Sequence, residues 1–376
     1  MKTPFTAITL FALINLNGAF AQSTWIVNST GTGDFTSIQD AIESNQVVNG
    51  DEILVYPGTY VENLDPLGKS ILIKSEDGPA QTIINGNAAG SVILIQSGEG
   101  PTTIIDGFTL TNGEAWDGGG IYIKDDPSTG AATSPIIKNC IIENNMGNGG
   151  GGGIAVRGRS TAEFYNCLVQ NNQTLHYNGA GIVIFDSSPV IRFCTFRNNA
   201  AGQHAGGMGI WDNTSGPQIH NSIFWGNTPD NIRLYGGPTN IDAYYSCIED
   251  GSGQFWFRSG CIDLDPLFAT GSDSQGNLRE SCLSQTTSGQ SQTSPCTDTA
   301  NPTALGKGTT RTDGRSDSGI ADMGFHYSVP PPVLSVSNLQ AGQTALIEIN
   351  NATANNFSHF AWSIYGGGPT TTPFGD

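Results

Sequence analysis

Between Ser134 and Asn227, apolar and polar residues alternate in four short phrases that share one pattern. The phrases read SPIIKNCIIENN, TAEFYNCLVQNN, SPVIRFCTFRNN and GPQIHNSIFWGN. Their central positions are Cys140, Cys167, Cys194 and Ser222, which are separated by steps of 27, 27 and 28 residues. Alternation with a period of two, in residues rich in β-branched and aromatic side chains, predicts short strands. A repeat of this length predicts a unit that buries its apolar face by stacking on the next copy.

Two columns of apolar residues are predicted to face the interior of this stack. They are Ile137, Phe164, Ile191 and Ile219 before the central position, and Ile142, Val169, Phe196 and Phe224 after it. Each repeat has a third strand after a Gly-rich turn, whose inward residues are predicted to be Ile121, Ile154, Ile182, Ile210 and Ile232. Three strands and three turns predict one coil of a parallel β-helix. We therefore predict an all-β fold with three strands per coil and about eight coils over residues 22–270.

Asparagine also recurs in columns, which predicts ladders of stacked amides. One column follows the second strand of each repeat and consists of Asn145, Asn172, Asn199 and Asn227. The other lies at the bend before that strand and consists of Asn139, Asn166 and Asn221. Stacked coils place like residues about 4.8 Å apart. At that spacing, side-chain amides can hydrogen-bond along the column at a tight turn.

This coil motif resembles that of right-handed parallel β-helix repeat proteins secreted by bacteria, over roughly residues 24–268. The resemblance implies a right-handed coil, an architecture that carries lyases, esterases, epimerases, adhesins and phage tailspikes. The opening of the chain also resembles pectin methylesterases, in GDFTSIQDAI, PGTYVENL and KSILIKSEDGP. The catalytic motifs of that family, of the QDTL, DFIFG and LGRPW types, do not occur in this sequence, and neither do the WIDH-type motif of pectate lyases and the YGFDPH-like motif of epimerases. Pectinase-like architecture is therefore expected without the esterase activity.

The two ends of the chain carry further signals. Met1–Ala21 opens with Lys2, continues in an apolar run and ends in Ala-Phe-Ala, which predicts a signal peptide and export to the cell surface or medium. No other apolar run is long enough to span a membrane. Phe35, Ile38, Ala41 and Ile42 have helical spacing after Thr36, which predicts a short helix that covers the open N-terminal end.

Past the coils, residues 271–329 are polar and rich in turns, and we predict that they form a C-terminal cap segment. Pro330–Pro332 is a stiff linker. Residues 333–376 then alternate as in a small β module, and truncation of this module at Asp376 is one of the alternatives that the pattern leaves open.

The charge of the chain restricts the class of partner. Fifteen Lys and Arg stand against 33 Asp and Glu, which gives a net charge of −18 and a pI near 4.4. Nucleic acid and anionic membranes are not expected as partners, because binding to phosphate needs Lys and Arg. An extracellular polysaccharide is the expected partner of a monomeric, acidic protein.

The seven cysteines fall into three sets. Cys140, Cys167 and Cys194 occupy one predicted inward column, which favours a ladder of small buried side chains over pairing. Cys282 and Cys296 lie 14 residues apart in a loop-rich segment, and we predict a disulfide between them. Cys247 and Cys261, also 14 apart, are a second candidate pair.

Aromatic and basic residues are predicted to share the outer face of the Gly-rich strands. One outward row is predicted to contain Tyr122, Ala155, Val183, Trp211 and Arg233, and the next Lys124, Arg157, Phe185, Asn213 and Tyr235. The adjoining turns carry Trp116, His176, Tyr177 and His204. Aromatic faces can stack on sugar rings and cations can meet uronate carboxylates, so these residues predict a carbohydrate-binding groove. The alternative is that they are ordinary outward residues of a Gly-rich sheet.

Lyase chemistry would need a base and a cation at one place. A second outward ladder holds Lys138, Tyr165, Arg192 and His220. Arg192, Arg157 and His204 are the candidate catalytic groups, because β-elimination needs a base next to the uronate carboxylate. Asp186 and Asp212, with Asp117, are candidate ligands for Ca²⁺, although Asp is equally common in such turns for its own hydrogen bonds.

Three functions stay open at this stage. We expect a secreted protein that binds polysaccharide through the groove. The alternatives are a lyase that cleaves an acidic glycan, with Ca²⁺ as a possible cofactor, and a structural or adhesive solenoid without a small ligand.

Overall fold

A computed structural model gives the fold. It describes residues 22–176, 178–236, 240–272, 276–304, 308–317 and 319–329, together with the backbone of strands at 333–337 and 346–350. The predicted signal peptide, Met1–Ala21, lies outside the described residues, as do Tyr177 and most of the predicted module at 333–376.

The chain forms a right-handed parallel β-helix of about eight coils, as the repeat predicts. Strands of successive coils pair in parallel and build four sheets along the helix axis. Two further strand pairs are antiparallel and lie after the coils in the sequence. No described helix is long and apolar enough to span a membrane.

Nine strands form the first sheet: β1 (Thr24–Val27), β2 (Glu52–Val55), β4 (Leu72–Ser75), β7 (Ile104–Asp106), β11 (Ile136–Lys138), β15 (Glu163–Tyr165), β19 (Val190–Arg192), β23 (Gln218–His220) and β26 (Asp242–Tyr244). Eight strands form the second: β3 (Gly58–Val61), β5 (Thr82–Asn85), β8 (Thr109–Thr111), β12 (Ile141–Glu143), β16 (Leu168–Gln170), β20 (Thr195–Arg197), β24 (Ile223–Trp225) and β27 (Cys247–Ile248).

Six Gly-flanked strands form the third sheet: β6 (Ile93–Ile95), β10 (Ile121–Ile123), β14 (Ile154–Arg157), β18 (Ile182–Phe185), β22 (Met208–Ile210) and β25 (Ile232–Leu234). A short four-stranded sheet lies in the turns before it: β9 (Glu114–Asp117), β13 (Met146–Gly150), β17 (Gln173–Thr174) and β21 (Ala200–Ala201). The antiparallel pairs are β28 (Phe268–Ser272) with β29 (Leu278–Leu283), and β30 (Val333–Ser337) with β31 (Leu346–Asn350).

The predicted inward columns form the core. Both columns around the central Cys are fully buried, and so is the Cys ladder itself. Phe196 and Phe224 stack face to face, with ring centroids 4.4 Å apart and planes 4° apart. This spacing is close to the distance between hydrogen-bonded strands, so one coil sets the position of the next.

The Asn ladder is also confirmed. Each buried amide in the column Asn145, Asn172, Asn199 and Asn227 bonds to the next, with Nδ2 to Oδ1 distances of 3.1, 3.0 and 2.8 Å. At the bend before each second strand, Asn139, Asn166 and Asn221 have φ between 52° and 55°. Asn tolerates this left-handed conformation better than most residues, which explains its recurrence there.

The N-terminal helix α1 (Ile38–Glu43) begins one residue later than the sequence suggests. Its N-cap is Ser37, whose hydroxyl accepts a hydrogen bond from the Asp40 N–H, and not Thr36. Glu62 of the next coil accepts bonds from the N–H groups of Ile38 and Gln39. Ile38, Ala41 and Ile42 are buried, as predicted. A 3₁₀ helix, Thr286–Ser288, lies in the C-terminal segment.

The C-terminal segment, residues 268–329, packs along the side of the coils, although it was predicted to be a cap. Its N–H groups at Gly324, Phe325 and His326 donate to Asn221 O, Thr195 Oγ1 and Asn166 Oδ1 at 2.8, 2.9 and 2.7 Å. These partners belong to three successive coils. The physical reason is an outward apolar row on the eight-stranded sheet, with Ile141, Leu168 and Ile223, which the segment covers.

Replacing Gly324 by alanine is expected to loosen this contact. Gly324 has φ of 91°, and an added Cβ would lie 2.7 Å from Thr195 Oγ1 and 2.8 Å from Ile223 Cδ1. Left-handed strain and overpacking together should lower the free energy of unfolding by about 2–5 kcal/mol. Chemical denaturation measures it. Gly289, with the same φ of 91° and no atom within 4 Å of its Cβ position, is the matched control. Equal losses at both glycines would show that the segment does not pack against Ile223.

The predicted disulfide between Cys282 and Cys296 is not formed. All seven cysteines are free thiols, and these two pack in separate clusters. Cys282 lies with Phe325 and Tyr327, whereas Cys296 lies with Cys247. A separation of 14 residues therefore does not bring the two side chains together, because the segment follows the side of the coils between them.

Candidate functional site

The outer face of the six-stranded sheet carries a continuous row of cationic and aromatic residues. In the register of this sheet Arg157 pairs with Phe185, and Met208 pairs with Ile182. Trp211 therefore follows Phe185 in the stack, and Tyr235 follows Trp211. We call this set the cation–aromatic row; it consists of Lys124, Arg157, Phe185, Trp211 and Tyr235.

This register corrects one predicted alignment. Trp211 was predicted to lie in the row of Tyr122, because Ile210 was aligned with Ile182. In the structure Ile210 pairs with Ile184, so Trp211 lies one outward position further along, where Asn213 was predicted. The row of Tyr122 instead contains Ala155, Val183, Gly209 and Arg233.

Neighbours within the cation–aromatic row stack on one another. The rings of Trp211 and Tyr235 are 4.6 Å apart with planes 17° apart. The Arg157 guanidinium lies 5.2 Å from the centre of the Phe185 ring, and Lys124 Nζ lies 5.3 Å from that of Tyr122. Phe185 is 40% exposed. The row thus joins an exposed Phe185 ring and the half-buried Trp211–Tyr235 stack, with cations at one end.

The turns beside the row add exposed polar and aromatic groups. Trp116 is 64% exposed and lies over Gly149, where a Cβ would fall 2.6 Å from the indole nitrogen. His204 is exposed and tilts toward Tyr235 at 6.3 Å between centroids. His176 is exposed on the same side, while Tyr177 lies outside the described residues. Apart from Tyr177, the residues predicted to bind carbohydrate thus lie in or directly after strands of the six-stranded sheet, or in the turns that precede it.

Acidic residues hold the cations in place. Asp117 pairs with Arg157 at 2.9 Å, and Asp230 lies 3.8 Å from His204 Nδ1 and 3.9 Å from Arg233. Asp230 was not identified from the sequence, because it precedes a strand, where a spacing of three residues does not predict a side-chain contact. Asp117, predicted as a calcium ligand, serves here as the partner of Arg157.

Two polar atoms of the row have no hydrogen-bond partner in the described part of the chain. They are Arg157 Nε and the Tyr235 hydroxyl. Burial raises the pKa of Tyr235 to about 12, so the hydroxyl keeps its proton at neutral pH. Burial also raises the pKa of Tyr122. Arg157 Nε and the Tyr235 hydroxyl are thus hydrogen-bond donors that lie buried within the row.

The three candidate catalytic residues do not converge. Arg192 lies on the nine-stranded sheet, where its Nε is 3.5 Å from Glu163, whereas Arg157 lies on the six-stranded sheet and His204 in a turn. On the ladder of Arg192, His220 stacks on Tyr244 at 5.7 Å. Burial and the nearby Arg192 lower the pKa of His220. Lys138 of that ladder pairs with Asp106 at 3.2 Å.

Asp186 and Asp212 are engaged in a turn. Asp212 accepts hydrogen bonds from the Asp186 N–H at 2.6 Å, from Thr214 and from Ser215. Burial alone would raise the pKa of Asp212, but the bonds from Thr214, Asp186 and Ser215 outweigh it and lower the pKa. Among the described residues, no group of three or more His, Cys, Asp or Glu side chains could hold a metal ion. The contacts of these two residues thus match the turn alternative.

Comparison with known proteins places this geometry among β-helices. A family model described as a right-handed beta helix region matches residues 71–248. The chain is 28% identical over 142 residues to a cell surface glycoprotein of Methanothermus fervidus, which covers 38% of this chain and 20% of that protein. It is 32% identical over 94 residues to the probable pectinesterase/pectinesterase inhibitor 12 of Arabidopsis thaliana, covering 24% and 16%. The chain thus spans a fifth or less of these curated relatives.

Two solved structures that match the chain at low similarity are a pectin methylesterase and a pectate lyase. A pectin methylesterase in complex with a hexasaccharide is 14% identical, with a TM-score of 0.36 and coverage of 64% of this chain and 92% of that one. The pectate lyase Pel9A is also 14% identical, with a TM-score of 0.34 and coverage of 82% and 97%. Likeness at this level says nothing about the site.

Proposed function

We propose that this protein is an exported β-helix that binds acidic extracellular polysaccharide on the cation–aromatic row. The row itself is the observation that carries the proposal. The exposed Phe185 ring and the neighbouring Trp211–Tyr235 stack offer apolar contact to sugar rings, and Lys124 and Arg157 offer charge to carboxylates. Arg157 Nε and the Tyr235 hydroxyl add donors without a partner in the described residues.

The negative charge of the whole molecule restricts where an acidic polysaccharide can bind. With a net charge of −18, most of the surface repels an acidic glycan. Uronate chains would therefore be held where cations and aromatic faces coincide. The names of the curated relatives, a cell surface glycoprotein and a pectinesterase, support an extracellular setting. Lyase cleavage has less support, because Arg192 is on another sheet than Arg157.

Replacing Trp211 by alanine is expected to weaken retention of pectate about tenfold, because a lost stacking contact costs about 0.5–1.5 kcal/mol beyond its area. Tyr235→Ala should act in the same direction. Affinity electrophoresis in pectate gels measures retention, and the melting temperature reports folding. Both side chains are half-buried on the outer face of the coils, outside the core columns, so each variant should remain folded with only a modest loss of stability.

The matched control is Tyr244→Ala, which removes a ring from the outward His220–Tyr244 stack on the nine-stranded sheet. Its retention should equal that of the unsubstituted protein. Equal losses in Tyr244→Ala and Tyr235→Ala, or no loss in either, would leave the structural solenoid as the better description.

The same sample tests the lyase alternative. Pectate and alginate are incubated with the protein, with and without Ca²⁺, and the ultraviolet absorbance of the unsaturated elimination product is followed. We expect no rise. A calcium-dependent rise would replace the binding function by a lyase, and Arg157, His204 and Arg192 would be the first residues to substitute.

A further inference from the structure

A second concave surface lies on the opposite flank, between the eight-stranded sheet and the C-terminal segment. This cleft has a volume of about 790 Å³. The end of β4 and the turn after it, residues 74–81, line one side, and residues 277–280, Phe325 and residues 327–329 line the other. Its size is within the range of small-molecule sites in proteins, which is about 300–1,000 Å³.

The floor of the cleft continues the outward apolar row that the C-terminal segment covers further along. Ile83, Thr109, Ile141 and Leu168 follow one another in strand register. Phe325 and Tyr327 stand over the end of this row. The coils repeat about every 4.8 Å. The floor is therefore a regular surface, which suits a polymer of repeating units better than a peptide of varied side chains.

Two deeply buried side chains bring unpartnered polar atoms to the cleft. Arg279 is 6% exposed, and its Nη2 donates to Ser328 O at 3.1 Å while its Nη1 has no partner in the described residues. Gln170 is 7% exposed, and its Nε2 donates to Glu143 at 2.7 Å while its Oε1 likewise has no partner there. A buried donor or acceptor left without a partner costs about 1–3 kcal/mol. The cleft thus has one unpartnered donor and one unpartnered acceptor, which a ligand with both hydrogen-bond acceptors and donors can satisfy.

The charge of the cleft indicates which class of ligand it can bind. Glu76, Asp77, Glu143 and Glu280 line it, against Lys74 and Arg279. Asp106, also in the lining, is neutralised by Lys138 at 3.2 Å. An acidic glycan would be repelled by this excess of carboxylates. An uncharged polyhydroxylated chain would not, and its hydroxyls both donate and accept.

We propose that this cleft binds an uncharged oligosaccharide, with Arg279 and Gln170 contacting its hydroxyl groups. The site is separate from the cation–aromatic row and does not rest on the function proposed for that row. A protein with both sites would join a neutral and an acidic glycan.

Isothermal titration calorimetry of the full chain tests the cleft, with β-1,4-linked oligosaccharides of glucose, xylose and mannose as probes. At least one should bind, with an affinity that added NaCl leaves unchanged and that saturating pectate does not reduce. Gln170→Leu, which keeps the size of the side chain and removes the acceptor, should weaken this binding at least tenfold. Pectate retention of the same variant should be unchanged.

Gln218→Leu, on the nine-stranded sheet, is the matched control and should bind as the unsubstituted protein does. Arg279→Gln is a second variant, accepted only if its melting temperature shows a folded segment. The proposal fails if no uncharged oligosaccharide binds, if Gln170→Leu binds as tightly as before, or if pectate displaces the probe. Loss of pectate retention alone would count against the cation–aromatic row and not against the cleft.

Discussion

Replacing Asn199 by alanine is expected to lower the free energy of unfolding by about 3 kcal/mol or more. Its side chain is fully buried in the Asn ladder. Oδ1 accepts from both the N–H and the Nδ2 of Asn172 at 3.0 Å, and Nδ2 donates to Val169 O at 2.9 Å and to Asn227 Oδ1 at 2.8 Å. Alanine removes all four bonds, and each group left unpaired in the interior costs about 1–3 kcal/mol. No water can readily replace them, because the column is packed between coils.

Chemical denaturation compares this variant with two others. Asn199→Leu restores the volume but not the bonds, so it should be no more stable than Asn199→Ala. Asn148→Ala, whose surface amide reaches Glu114 at 3.3 Å, should change stability by no more than about 0.5 kcal/mol. If Asn199→Leu recovered the stability of the unsubstituted protein, the column would act through packing and not through hydrogen bonds.

The Asn ladder and the core columns could be predicted because each repeats at a fixed step along the chain. In a stack of parallel coils, residues of the same type that recur every 27 positions lie next to one another in successive coils. The spacing of Cys140, Cys167 and Cys194 is therefore enough to place them in one column. The positions of Trp116, His176 and His204 beside one face follow from the same logic, because the turns of successive coils also stack.

The register of Trp211 could not be predicted in the same way. Met208 and Ile210 are both apolar and both point inward, so either could be aligned with Ile182. A shift of two residues in a strand preserves the inward and outward pattern, and only the geometry of the preceding turn selects one. The shorter turn at residues 202–207 selects Met208.

The sequence contains a sign that the C-terminal segment packs against the side of the coils, although the alternation of apolar and polar residues alone does not show it. Ile141, Leu168 and Ile223 are apolar at outward positions, next to the inward Ile142, Val169 and Phe224. Strands that are apolar on both faces are covered on both faces. The partner of such a face is set by long-range packing, which is also why the spacing of Cys282 and Cys296 did not predict their contacts.

The buried pair Asp317 and His326 in this segment is expected to make stability depend on pH in two opposing ways. His326 Nε2 lies 3.8 Å from Asp317 Oδ2, with side chains 3% and 5% exposed. Burial and the neighbouring carboxyl of Asp322 raise the pKa of Asp317 to about 7, against weaker opposing effects of Thr310 and Arg311. Burial lowers the pKa of His326 to about 4.

The signs follow from proton binding. Between about pH 4 and 7 the folded protein holds a proton on Asp317 that the unfolded chain has lost, so this contribution to stability falls as pH rises. Between about pH 4 and 6.5 the unfolded chain holds a proton on His326 that the folded protein lacks, so this contribution grows as pH rises. In the unsubstituted protein the two slopes largely cancel.

Single substitutions should separate them. Measured against the unsubstituted protein, Asp317→Asn should gain stability as pH rises from 4.5 to 7, whereas His326→Gln should lose it over the lower part of that range. Each trend should amount to a few kcal/mol, since one pKa unit corresponds to about 1.4 kcal/mol. Denaturation curves at four pH values measure both. Asp313→Asn is the control. Because the bond from Arg311 lowers the pKa of Asp313, the difference in stability between this variant and the unsubstituted protein should not change between pH 4.5 and 7. Differences that stay flat from pH 4.5 to 7 in both variants would show that the two groups titrate as in water, and that the C-terminal segment does not seal them against the coils.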